Sequence, residues 1–281
     1  MLFLGIRRED RYSPNRIADD KAIFDAVCSR LKTPENMIFR MNEDEFGREG
    51  AGDFQIYDAV LNMCRSDMAL TRLAGMEKSG VQIINRPESV LNCRRTVEVR
   101  LLQDAGTAFV RSRIVSDGVF PSDWDCFPCW LKRGNAHAID ADDVRFVANR
   151  AEAELILEQM MRKDVSDAVL QEHVPGKIVK FYGVGRNRLF RYRFLESVLE
   201  GKFGLEAHND LGTAEINEAE FHDAVADIAE ILGVDVYGGD AVVTPQGSVV
   251  IVDFNDWPSF FSCRNEAADA IAELVLEKCG E

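Results

Sequence analysis

YGGDAVVTPQGSVVIVDFNDWP, residues Tyr237 to Pro258, is the stretch from which the rest of the chain is read. Two β-rich runs, DAVVT and SVVIVDF, flank a Pro-Gln-Gly turn, the pattern of an antiparallel hairpin whose side chains alternate between faces. Asp253 and Asn255 therefore share a face. Asp240 lies near the start of the partner strand, opposite the end of the second strand once the hairpin closes, so its carboxylate converges with theirs. Two carboxylates and one amide are all oxygen donors, a set that suits a hard cation such as Mg²⁺. An acidic hairpin end at a surface is the plain alternative. The apolar strands that bury the backbone around these residues favour a site.

Composition narrows the function classes. With 281 residues, 46% of them hydrophobic, the chain can bury a large core and exceeds the usual single-domain size, so two or three lobes are expected. A formal net charge of −15, with no Lys/Arg-rich run to offset it, argues against nucleic acid and anionic membrane as partners. An anionic small molecule then needs a local basic pocket. The apolar start of MLFLGIRRED is far shorter than a signal segment, and no run reaches the roughly 18 apolar residues of a spanning helix, so a cytoplasmic protein is expected. Seven scattered cysteines give no disulfide framework and fit a reducing compartment. Cys126 and Cys129 form a CxxC, but a strand and not a helix follows it and no second pair is spaced for zinc, so buried inert thiols are expected.

Along the chain, Leu2 to Ile6, Asn36 to Met41, Phe54 to Leu61 and Val81 to Ile84 read as strands. Ala18 to Leu31, with Ile23, Val27 and Leu31 at helical spacing, and Ser66 to Ser79 read as helices. This alternation is an open α/β unit with a mainly parallel sheet. No G-x-G-x-x-G follows a strand and no G-x-x-x-x-G-K-[ST] occurs, which excludes dinucleotide and P-loop motifs. Asp142 to Met161 reads as a helix. RNRLFRYRF, ending at Phe194, is a strand with cations along one face. Asn217 to Leu232 opens on an Asn cap with a glutamate three residues on, and Asn265 to Lys278 is a closing amphipathic helix.

Gly238, Asp240, Asp253, Asn255 and Pro258 together resemble the closing metal motif of the ATP-grasp superfamily, G-x-D in one strand and [D/E]-x-N-x-x-P ending the next. That superfamily includes carboxylate-amine ligases and the inositol polyphosphate 5/6-kinases. The resemblance implies an ATP-grasp fold: an N-terminal open α/β lobe, residues 1–90, followed by two α+β lobes, residues 91–170 and 171–281, that clasp ATP. It implies ATP and Mg²⁺, with Mn²⁺ as a substitute, and Asp240, Asp253 and Asn255 as metal ligands.

The resemblance also assigns the nucleotide contacts. Arg95, with Arg94 as competitor, takes the place of a cationic residue that is lysine in many relatives. Lys132 ends a strand resembling the P-x-x-[VL]-K strand that meets the α and β phosphates. The run VLQEHV resembles the hinge at which backbone reads adenine, through the Gln171 carbonyl and the Val174 amide with Glu172 flanking. Lys180 matches a lysine that reaches the nucleotide in the kinase-like branch. Arg191 or Arg193 would stabilise the transferring phosphoryl group, His137 would replace lid contacts, and Arg7, Arg8 and Arg16 lie where a substrate loop is expected, against the plain reading of solvated charges. The activity implied is a ligase that phosphorylates a small carboxylate for attack by an amine or other nucleophile. A small-molecule kinase and a nucleotide-binding protein without turnover are the alternatives.

Overall fold

The computed structural model describes residues 1–48, 56–134, 143–196 and 207–280. Its first sheet holds β1 (Leu2–Arg7), β2 (Met37–Asn42), β3 (Ala59–Asn62) and β4 (Gln82–Ile84) in the order β2-β1-β3-β4. All three pairings are parallel, as expected. Parallel neighbours need crossovers, which α1 (Ile17–Leu31) and α3 (Asp67–Lys78) supply. Strands covered on both faces carry apolar runs, and Phe3, Leu4 and Ile6 of β1 are fully buried. Ile23, Val27 and Leu31 of α1 pack with Phe3 on one face, and Leu4 and Ile6 pack with Leu70 and Leu73 of α3 on the other. Ser66 caps α3 by accepting from the Ala69 amide. The strand expected over Phe54 to Leu61 begins only at Ala59; residues 49–55 lie outside the described residues.

After α4 (Pro87–Asn92) and α5 (Arg95–Gln103) comes a second sheet of β5 (Ser112–Ser116), β6 (Cys129–Arg133), β7 (Val144–Val147) and β8 (Asp167–Glu172). Its order is β5-β8-β6-β7, antiparallel throughout. Alternation sends Cys129, Leu131, Val147 and Leu170 into a core with Ile156, Leu157 and Met160 of α6 (Arg150–Arg162). Trp130 and Lys132 take the other face. The helix expected from Asp142 is corrected here. Val144 to Val147, β-branched and aromatic, pairs with β6, and the helix starts only after Asn149, whose side chain accepts from the Glu152 amide at 3.1 Å. Cys129 opens β6 as expected, and burial pushes its thiol up to about 11, away from reactivity.

The third sheet contains β9 (Lys177–Val184), β10 (Leu189–Phe194), β11 (Val236–Val243) and β12 (Val249–Asp256), ordered β10-β9-β11-β12 and antiparallel. One face is packed by Phe221, Val225, Ile228 and Leu232 of α7 (Glu218–Leu232) against Phe181, Tyr237 and Phe254. The helix α8 (Arg264–Gly280) lies against α1, and their shared core runs from Phe3 to Trp257 and Phe260. A polar clamp completes the join to the first sheet. The Asn85 Nδ2 donates to the Val236 carbonyl at 2.7 Å, and its Oδ1 accepts from the Asp235 and Val236 amides at 3.0 and 2.8 Å. Among the described residues no helix is long and apolar enough to cross a membrane.

Candidate active site

The hairpin of β11 and β12 closes with Asp240 directly opposite Asp253 and Gly238 opposite Asn255. Cross-strand partners share a face, so the two carboxylates and the amide come together as alternation requires, and all three line one cavity. The Asn255 Nδ2 donates to Asp253 Oδ2 at 2.7 Å, which ties two of the donors to each other. The glycines of the motif are steric necessities. A Cβ on Gly239 would stand 2.0 Å from the Asp253 carbonyl, and one on Gly238 would stand 2.7 Å from the Phe181 carbonyl and 2.8 Å from Pro258 Cγ. Gly238 and Pro258, far apart in the motif, are thus packed against each other. Because the Phe181 carbonyl is held in a ladder, Gly238→Ala is expected to cost about 1–3 kcal/mol; chemical denaturation checks this, and an unchanged midpoint would refute it.

Three cations from separate stretches meet this face. Lys180 of β9 is the ladder partner of Asp240, with Nζ 2.6 Å from Oδ1. Burial disfavours its charge, yet the Asp240 carboxylate and the hydrogen bond to it hold the ammonium above its ordinary value. Arg95, at the start of α5, is buried, with a guanidinium nitrogen 3.8 Å from Asp253 Oδ1. Lys132, near the end of β6 and 7% exposed, donates to the Val252 carbonyl at 3.2 Å. Desolvation brings its ammonium down to about 8, with Asp253 opposing the shift.

The remaining sequence expectations divide. Arg94 points away from the cavity, bound to Asp67 at 2.5 Å. Arg193 lines the cavity. Arg191 does not: it shares the face by alternation, but α8 meets it there and Glu266 pairs with it at 2.5 Å. Gln171 is corrected as well. It sits in the inner strand β8 between Ser112 and Trp130, so its carbonyl faces a ladder and not an open edge. The Glu172 amide donates to the Arg111 carbonyl at 2.9 Å. Val174, beyond the strand, packs on a seam of Val110, Val242 and Val252. Arg8 and Arg16 line the cavity, whereas Arg7 pairs with Asp10 outside it. His137 lies outside the described residues.

Three residues of this region escape a sequence reading. Glu98 is buried beside Asp253 and Arg95, and burial, reinforced by Asp253, holds its carboxyl well above the usual carboxylate range. Arg65 and Asp256 form a buried pair with Nη1 2.6 Å from Oδ1. The contact lies off the hydrogen-bond direction, so it is one of charge. A signal did exist for Glu98: it occupies an apolar-stripe position of α5 alongside Val99 and Leu102. Among the described residues no three of His, Cys, Asp and Glu cluster in metal-holding geometry, so the oxygen set at the hairpin depends on the Asn255 amide.

The sequence matches no family model and no curated protein. Solved structures do match. The D-alanine–D-alanine ligase from Bacillus anthracis, complexed with ATP, superimposes with a TM-score of 0.72 at 12% identity, covering 100% of this chain and 99% of that one. The ATP-grasp ligase PsnB, complexed with its minimal precursor, Mg and ADP, gives 0.64 at 14% identity, covering 99% and 98%. A RimK domain ATP-grasp protein from Sphaerobacter thermophilus gives 0.61 at 19% identity, covering 98% and 99%. The chain has the ATP-grasp fold.

Proposed function

We propose that the chain is a Mg²⁺-ATP-dependent ligase that activates a small carboxylate as its acylphosphate. The observation that carries this reading is the convergence of Arg95 and Lys180 on the cavity that Asp240, Asp253 and Asn255 line, with Lys132 buried behind it on the Val252 carbonyl of the same hairpin. The ligase character is supported by the neighbours, whose described activities are ligations. The donor set fits Mg²⁺, or Mn²⁺ in its place: two carboxylates and an amide oxygen, with neither thiolate nor imidazole among them. When bound, the metal would neutralise negative charge on the nucleotide's phosphates.

The chain's own residues do the rest. Asp240, Asp253 and Asn255 would hold the ion, and Lys132 and Arg95, both buried, would meet the phosphates as fixed cations. Lys180 holds the Asp240 carboxylate in place through its contact at 2.6 Å. The backbone that leaves the sheet after the last ladder pair of β8, Cys129 with Glu172, would read the base edge, Val174 among it. Arg193 faces the acceptor end and stabilises the phosphoryl group in transit. A carboxylate oxygen attacks the γ-phosphorus and ADP leaves; the amine nitrogen then attacks the acyl carbon, phosphate leaves, and the amine gives up a proton. Turnover assays with ATP, acids and amines test this. ADP and free phosphate formed only when both co-substrates are present support a ligase, whereas ADP with one phosphorylated product makes the protein a kinase. Tight nucleotide binding without turnover makes it a binding module.

Lys132 gives a sharper check. Lys132→Ala is expected to weaken Mg²⁺-ATP binding about tenfold to a hundredfold, since a charge-assisted contact is worth about 1.5–3 kcal/mol, while Lys132→Arg retains most of the affinity. The wild-type ammonium is brought from 10.5 down to about 8. Phosphate binding needs the protonated form, so affinity is full below that pH and falls as pH rises through it, by up to about tenfold per pH unit. Titration calorimetry at about pH 7 and about pH 9 reads this, and a pH dependence that survives in Lys132→Arg would remove the lysine from the phosphate site.

A further inference from the structure

We infer that the acceptor acid carries a second, non-reacting negative charge and that Arg8 is the side chain that reads it; this rests on the ligase reading above. Although the chain bears a net charge of −15, the cavity is lined by six cations, Arg8, Arg16, Arg65, Arg95, Lys180 and Arg193. Among the described residues four carboxylates share the lining, Asp20, Asp240, Asp253 and Asp256, and Asp19 pairs with Arg16 at 3.2 Å from just outside it. With Asp240 and Asp253 given to the metal, the acceptor end is positive in excess. An ammonium group there would be repelled, and an anion is drawn in.

Arg8 is the best placed of these cations. It is 6% exposed, and its Nη2 donates to the Trp257 carbonyl at 2.8 Å. Its carboxylate neighbour is loose: Asp20 Oδ2 stands 3.7 Å from Nη1, beyond hydrogen-bond range. Among the described residues the Arg8 Nε has no acceptor, and neither has the indole nitrogen of the fully buried Trp257 beside it. A buried guanidinium on a cavity wall, whose one carboxylate neighbour stands outside hydrogen-bond range, is stabilised when an anion enters the cavity. Its planar fork matches a carboxylate. Trp257 follows Asn255 by two residues, so the Arg8 end adjoins the metal end and one short molecule reaches both.

The test uses the full chain with Mg²⁺ and a non-hydrolysable ATP analogue, and titrates succinate and glutarate against butyrate, succinamate and 4-aminobutyrate. The diacids are expected to bind about tenfold to a hundredfold tighter than the matched monoacids. Folded Arg8→Gln is expected to lose that discrimination, with affinity for the analogue retained. Equal or tighter binding of butyrate or 4-aminobutyrate, or no binding of any of these acids, overturns the inference, as does discrimination that persists in Arg8→Gln. If Arg8→Gln does not fold, the wild-type series decides by itself. Failure of the ligase reading shows separately, in the turnover assay, as one phosphorylated product or as no turnover with any acid and amine, and takes the inference with it.

Discussion

Asp253→Asn is expected to lower turnover by at least about a thousandfold while the chain still folds. The substitution preserves shape and one oxygen donor and removes one of the two negative charges at the hairpin. A catalytic metal supplies several kcal/mol of charge stabilisation, and about 4 kcal/mol corresponds to about three powers of ten in rate. The folded state loses less. Asp253 is part-exposed and its nearest cation, Arg95, stands 3.8 Å away, so the pair's share of stability is about 1 kcal/mol or less. The melting temperature is therefore expected to stay within a few degrees of wild type. Turnover is measured under saturating Mg²⁺, ATP and co-substrates, beside a melt without ligand. Wild-type turnover in a variant that melts normally would reduce the hairpin to an ordinary surface element and leave the proposed chemistry without its metal.

The hairpin was legible in the sequence because everything it needs is local. Period-two alternation puts Asp253 and Asn255 on one face, and the turn fixes which residue of the first strand opposes them. Lys132 and Arg95 were found through their resemblance to motifs, and the fold brought both to the hairpin. Arg191 and Arg193 were indistinguishable on alternation alone; only the placement of α8 separates them. Gln171 was misplaced because a motif read in one dimension does not show that its strand has neighbours on both sides. The four residues from Val144 were absorbed into the following helix because so short a run gives periodicity little to work with. Arg65 and Asp256 were out of reach for a different reason. Their separation of 191 residues means that neither local pattern nor propensity refers to the other.

That last pair carries the largest stability effect. Asp256 is fully buried at the end of β12, and Arg65 is its counter-ion at 2.6 Å. The same guanidinium donates to the Asp256 carbonyl at 3.3 Å, so Arg65 fastens the strand end both by charge and through the backbone. Burial pulls the Arg65 guanidinium below its ordinary value against the opposing pull of Asp256, which shows how much the cation depends on that carboxylate. Asp256→Asn keeps the volume and removes the charge, stranding a buried cation. Breaking one side of a buried pair costs about 3–5 kcal/mol, on the order of 10 °C in melting temperature for a chain of this size. Replacing both partners is expected to cost less than replacing one, because an apolar substitute for a buried pair is often neutral. Asp256→Leu with Arg65→Met should therefore melt above either single variant, and the shortfall from additivity measures the coupling. The pair lies just beyond Asp253 and Asn255 in β12, so the single variant should also loosen the metal face and lower Mg²⁺-ATP affinity, whereas the double variant recovers stability first. A single Asp256→Asn that melts with wild type would show that the pair is not closed in solution, and that something else holds the end of β12 where the site needs it.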